Sequence, residues 1–169
     1  TAINEIEYAK SKGLQVMVVD HHQPSGDGLP SCDVLLDPHR EEDSYLNEEL
    51  CGVGLSYKLI CALFSELGLN GAEKFLDLVA LGTLADLVPM TEENKTLTRS
   101  GLKKMCNSHW YGVQELCRDV LSSHSFIGGQ DVLFRIAPIL NAPGRMGYAD
   151  AALHLLLCDD PIKAPSLLS

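Results

Sequence analysis

Basic residues are scarce in this chain: 13 Lys and Arg stand against 23 Asp and Glu, a formal net charge of −10. That balance disfavours a broad nucleic-acid-binding surface, because phosphate backbones are held mainly by Lys and Arg. It leaves room for a local basic track, or for a metal-centred site whose ion reverses the local field. No apolar run approaches the roughly 18 residues of a membrane span, and no signal-peptide pattern opens the chain. The six cysteines (32, 51, 61, 106, 117 and 158) include neither a C-x-x-C pair nor a zinc spacing. Cys51, Cys61, Cys106 and Cys117 fall within helix-like patterns, as small buried residues do, so the set reads as free thiols of a reducing cytoplasm. A Walker loop and a G-x-S-x-G elbow are missing too, which removes the common nucleotide-hydrolase and serine-hydrolase readings. There is no internal repeat and no low-complexity segment.

What is present is a folded composition, 46% hydrophobic with mean hydropathy +0.04. At 169 residues it suits one domain, or one domain and part of a second. Residues 2–12 predict a short amphipathic helix with Gly13 as its stop. Leu14–Val19 predicts a strand covered on both faces, since VMVV is a continuous apolar run of the parallel-sheet kind. A second strand, Cys32–Leu36, follows. Helix, strand and strand make the unit of a doubly wound α/β fold, but two strands are marginal alone. With Thr at position 1 and an apolar pattern resuming at SLLS, the chain is expected to be a piece of a longer protein. Beyond Pro38 the pattern is helical: 50–67 ending at Gly68, 72–88 apolar nearly all round and therefore central, then 92–106, 111–122 and about 149–157.

Four features carry chemistry. Asp20-His21-His22 sits at the carboxyl end of the first strand, where open α/β sheets place their ligands. Adjacent strand residues point to opposite faces, so one His suits a metal and the other a substrate or a supporting contact; a solvated loop with chance histidines is the plainer alternative. Asp86, in LVALGTLADLVPM, is a carboxylate in an apolar helix, expensive to bury without a cation or several donors, unless it reaches water beside Pro89. Together the His and the carboxylate make a workable set for Mn²⁺ or Mg²⁺. In NAPGRMG, Pro143 and Gly144 predict a tight turn that presents Arg145, a side chain suited to forked phosphate recognition; an ordinary turn with an exposed Arg fits equally. Lys95, Arg99 and Lys103, four apart, share one helix face that either follows a phosphate backbone or is simply solvated. His39, His109, His124 and His154 stand apart from these features and read as structural or exposed.

In this order, these pieces resemble the DHH phosphoesterase family, most closely its RecJ-like branch of exonucleases specific for single-stranded DNA. VVDHH at 18–22 is similar to the name-giving motif and ALGTLADLVPM at 80–90 to the next acidic one. CGVGLSYKL at 51–59, NKTLTRSGL at 94–102 and LNAPGRMG at 140–147 are similar to the branch pattern. The resemblance implies metal-dependent phosphodiester hydrolysis, 5′ to 3′ on single-stranded DNA, in the cytoplasm and in repair or recombination. Implied partners of the intact protein are single-stranded DNA and repair proteins such as a single-strand-binding protein or a helicase. It implies that His21 and Asp86 ligate one of two Mn²⁺ or Mg²⁺ ions, that His22 faces the scissile phosphate with Asp20 orienting the histidines, and that Asn141 and Arg145 bind substrate phosphate. It divides the chain into the C-terminal part of a DHH domain (1–90) and an incomplete helical connector toward a second, DHHA1-type domain (91–169). The family's Asp-x-Asp motif and bridging Asp would lie before Thr1, so the segment alone is expected to be inactive, and Ile139 stands where many RecJ-like sequences carry Arg. Two other readings share the fold: a phosphodiesterase of oligonucleotides or cyclic dinucleotides, and a non-catalytic scaffold.

Overall fold

The computed structural model describes residues 2–24, 26, 28–121, 126–145 and 147–168, with the backbone alone at Arg145. It is a mixed α/β arrangement: one helix and a parallel strand pair, followed by helices. Helix α1 (Ile3–Ser11) ends as expected, with Gly13 in the left-handed conformation (φ 80°). Strands β1 (Met17–Val19) and β2 (Val34–Leu36) pair in parallel, Val18 opposite Leu35. Both are shorter than predicted. Leu14 N–H donates back to the Ala9 carbonyl, and Val16 N–H is taken by the Asp33 carboxylate rather than by a strand. That bond, with Lys10 beside it, holds the Asp33 carboxyl below the usual carboxylate range. The expected cover on both faces is also not found: Met17 is 54% and Val34 41% exposed. Only two strands are present among the described residues.

Helix α2 (Gly52–Glu66) is followed by a 3-10 turn (Ala72–Phe75) and by α3 (Leu76–Ala85). Instead of one helix over 72–88 stopped by Pro89, α3 ends at Asp86, because Leu87 takes a positive φ of 59°. Val88, which precedes Pro89, is also disfavoured from helix. The central, buried position expected for α3 does hold: Val79 and Ala80 are fully buried. Two glycines bring its neighbours to contact distance. A Cβ on Gly82 would lie 2.2 Å from Val53 Cγ1 of α2, and one on Gly101 only 2.0 Å from the Leu76 carbonyl oxygen. Gly101 belongs to α4 (Glu92–Met105), which therefore packs backbone to backbone on α3.

Helix α5 (Tyr111–Leu121) follows. The segment after Gly128 is helical throughout: α6 (Gly129–Asp131), a π-helical stretch (Val132–Ile136) and α7 (Ala137–Arg145). Pro138 explains the widened turn, since it has no N–H for the Phe134 carbonyl and its ring crowds that position. The tight turn predicted at Pro143-Gly144 is corrected: both residues lie within α7, and the turn comes later, where Tyr148 N–H donates to the Pro143 carbonyl. Helices α8 (Ala149–Leu156) and α9 (Ala164–Leu168) complete the chain. The main core is helical, built from Leu81, Met105, Leu116, Val120, Ile136 and Leu155. Cys117 lies within it, burial pushes its thiol up, and all six cysteines are free.

A polar cluster fastens the 45–49 loop to the start of α4. Thr91 caps the helix by accepting from Asn94 N–H, while the fully buried Asn94 amide donates to the carbonyls of Glu49 (2.7 Å) and Pro89 (2.8 Å). Glu93 accepts from Lys58, Asn47 and Tyr45 at 2.8–3.1 Å. Burial alone would raise the Glu93 carboxyl, but these three donors outweigh it and hold it below the usual range. Replacing Asn94 by Ala removes the donor of both the Glu49 and Pro89 carbonyls and leaves a hole at a fully buried position, and is expected to cost about 2–3 kcal/mol in urea unfolding. A carboxyl lowered in the folded state adds stability above its unfolded value, and that stability disappears as pH falls through the folded value. Acid unfolding should therefore set in earlier for wild type than its neutral stability suggests, and Glu93→Gln should flatten stability against pH below about 4.5.

Candidate metal centre

The strand pair sets the first half of the site. Both strands are parallel, so both carboxyl ends face the same way: Asp20 follows β1 and Asp37 follows β2. Asp20 N–H donates to the Leu36 carbonyl, prolonging the ladder by one bond before the chain turns. The Asp20 carboxylate then organises the turn. Its Oδ1 accepts from the backbone N–H of His21 (2.8 Å) and His22 (3.2 Å) and lies 2.7 Å from His22 Nδ1. A carboxylate only accepts, so His22 Nδ1 carries the proton and Nε2 is left free. The turn removes the strand alternation, and the two rings sit 4.4 Å apart. His22 is largely open to solvent, its side chain 73% exposed, whereas His21 is at 19%.

The second half comes from the helices. His21 packs beside Gly52 at the start of α2, and Cys51 Sγ is 3.4 Å from Thr83 Oγ1, tying that end of α2 to α3. His21 Nε2 thereby lies 3.3 Å from Asp86 Oδ2 at the end of α3. Two ligands in adjacent positions of an octahedral ion, with bonds of about 2.1 Å, stand roughly 3 Å apart. The donor pair fits that spacing, and nitrogen with carboxylate oxygen suits Mn²⁺ or Mg²⁺. Among the described residues, no group of three or more His, Cys, Asp or Glu is arranged to hold a metal ion.

Of the two readings of Asp86, burial with compensation or access to water beside Pro89, the structure gives the second. Its side chain is 43% exposed; the buried acid of α3 is Asp77, which accepts a short hydrogen bond from the Ser108 hydroxyl and another from Leu78 N–H. Asp86 is also placed unfavourably for its helix, a negative group at the negative end, with the His21 imidazole 3.3 Å away. Asn141, exposed on α7, shares a cleft of about 310 Å³ with Ala85 and Leu87, beside the end of α3. The side chain of Arg145 and all of His124 lie outside the described residues. His109 and His154 are exposed.

Three residues make contacts or take a conformation that the sequence reading does not assign to them. Asp37, 3% exposed at the end of β2, accepts from His39 N–H, and His39 in turn meets Gln23 (2.9 Å) and Glu48 (3.8 Å), joining the two strand-end loops. An acid ending an apolar strand was the available signal, the same one that marks Asp20. Leu87 is the third, a left-handed branched residue directly after Asp86, with no signal in its residue type. Leu87→Gly relieves that strain and is expected to raise the unfolding free energy by about 0.5–1 kcal/mol; an equal or lower thermal midpoint would contradict it.

Residues 1–83 match the DHH family, N-terminal domain. The chain is 38% identical to the single-stranded-DNA-specific exonuclease RecJ of Bacillus subtilis, over 98% of its own length and 20% of that protein's. It is 35% identical to the RecJ of Thermus thermophilus, over 97% of itself and 24% of that protein. Among solved structures it is similar to an exonuclease RecJ bound to manganese (TM-score 0.86, 34% identity, 98% of this chain and 41% of that one). It is likewise similar to the Thermus thermophilus RecJ in complex with Mn²⁺ (TM-score 0.88, 34% identity, 99% of this chain and 25% of that one). The chain thus spans about a fifth to a quarter of the two curated relatives.

Proposed function

Because residues 1–83 of this chain belong to the DHH family, we propose that the intact protein is a metal-dependent phosphodiesterase, an exonuclease degrading single-stranded DNA from 5′ to 3′ in repair and recombination. The observation that carries this reading is the 3.3 Å approach of His21 Nε2 to Asp86 Oδ2, groups far apart in the chain. The similarity to RecJ proteins, whose names state this substrate, supports it. We place the protein in the cytoplasm, a reading supported by six cysteines that are all free. Residues 1–90 are read as the C-terminal part of the DHH domain and 91–169 as a connector toward a further domain.

In this reading His21 and Asp86 are two ligands of a Mn²⁺ or Mg²⁺ ion, the remaining ligands coming from outside these residues. A bound divalent ion of this kind acidifies water and polarises a phosphoryl oxygen. Asp20 positions: by fixing the His22 proton on Nδ1 it keeps Nε2 free toward the phosphate, and by holding two backbone amides it keeps the turn from relaxing. Asn141 and Arg145 bind substrate phosphate from α7.

The test is the complete protein with Mn²⁺ on single- and double-stranded DNA labelled at either end. Single strands should be degraded from the 5′ end, His21→Ala and Asp86→Asn should each lower the rate at least 100-fold and weaken Mn²⁺ binding in calorimetry, and Asp20→Asn should lower it by roughly 10- to 100-fold. Undiminished activity in His21→Ala would remove the reading. Faster turnover of dinucleotides than of long strands would move it to a small-substrate phosphodiesterase.

A further inference from the structure

A groove away from the His21–Asp86 pair runs along α4. It encloses about 720 Å³ and is lined by Met90, Lys95, Thr98, Arg99, Lys103 and Phe126, among others. In a chain of net charge −10, three cations on one wall are a local exception. Lys95 is partly engaged, its ammonium 3.0 Å from Glu92. Arg99 and Lys103 are exposed, and neither has an ion-pair partner among the described residues. Spaced four residues apart, the three heads rise by about 6 Å per step along the helix, comparable with successive phosphates of an extended single strand. Phe126 lines the same groove with 71% of its surface exposed, a large apolar ring open to solvent. Thr98, which also lines the groove, is 4% exposed, and its hydroxyl has no hydrogen-bond partner among the described residues.

We infer that this groove is a path for single-stranded nucleic acid, with Arg99 and Lys103 on successive phosphates and Phe126 stacking on a base. Regularly spaced cations with an interleaved aromatic are what sequence-independent strand binding uses, since every base has a face to stack and every nucleotide a charge. Position favours a strand over an acidic peptide: Met90, at the near end, is four residues after Asp86, and α4 runs on from there. A strand whose end lies at the metal pair would continue into the groove. The inference rests on the proposed nuclease reading for where the strand ends, but binding in the groove requires no hydrolysis.

Binding is therefore measured in EDTA, on the complete protein, by anisotropy of a fluorescent oligothymidylate across a salt series. The double variant R99Q/K103Q should bind roughly tenfold more weakly at low salt, and the slope of log K against log salt should fall by about 1.4, the share of two phosphates. Phe126→Ala should weaken binding with the slope unchanged. All three positions are exposed, and circular dichroism identical to wild type verifies folding. Unchanged affinity and slope in R99Q/K103Q would overturn the inference, as would displacement of the strand's role by a polyglutamate peptide that binds more tightly and loses affinity in the same variant. If the complete protein fails to hydrolyse DNA while R99Q/K103Q still loses strand binding, the nuclease reading fails and the groove stands. If it hydrolyses DNA and the variant binds as wild type, the groove fails alone.

Discussion

Helix α3 is clamped between two neighbours at distances that leave no room for a methyl group, and the positions of most other groups follow from that. Gly82 admits Val53 of α2 on one side, and the Leu76 carbonyl meets Gly101 of α4 on another. Overpacking at such contacts costs about 1–3 kcal/mol, because a stiff branched side chain or a carbonyl has nowhere to go. The clamp has a chemical result. Cys51 and Thr83 lock the start of α2 to α3, His21 rests beside Gly52, and Asp86 leaves the far end of α3. The turn that carries His21 and the helix end that carries Asp86 are then held against each other by packed helices.

The electrostatics of the site are carried by two carboxylates in opposite circumstances. Asp20 lies where backbone N–H groups converge and is satisfied on the spot. Asp86 lies at the end of a helix whose dipole opposes it, with one imidazole for company. Asp77, in the same helix, shows what a structural acid looks like: buried and bonded to a hydroxyl and an amide. An acid left half-exposed and badly placed for its helix is the one poised to welcome a cation.

Much of this was legible where local chemistry decides. Gly13 and Gly68 stop their helices because both take positive φ, as a C-terminal glycine does. The apolar faces of α4 and α5 announce helices by period alone. Reading failed where distant atoms decide. Strand β1 loses its first residues to α1 and to Asp33, partners that residues 14–16 do not reveal. Pro143 and Gly144 look like a turn, yet the helix from 137 carries through them, because its capping bonds come at Gly147 and Tyr148. Asp86 allowed two readings, buried or open to water beside Pro89, and residue type does not choose between them; the folded chain leaves it 43% exposed, 3.3 Å from His21. The left-handed Leu87 violates its own residue preference, so no preference could have disclosed it.

The strand pair has a bearing on handling as well as on function. Two parallel strands, each three residues long, have no third strand beside them among the described residues, and Met17 and Val34 are open to solvent. Unprotected edges of this sort recruit further strands. In concentrated solution the segment would satisfy them with copies of itself, so turbidity would be a symptom of an uncovered sheet and not of a misfolded helical core.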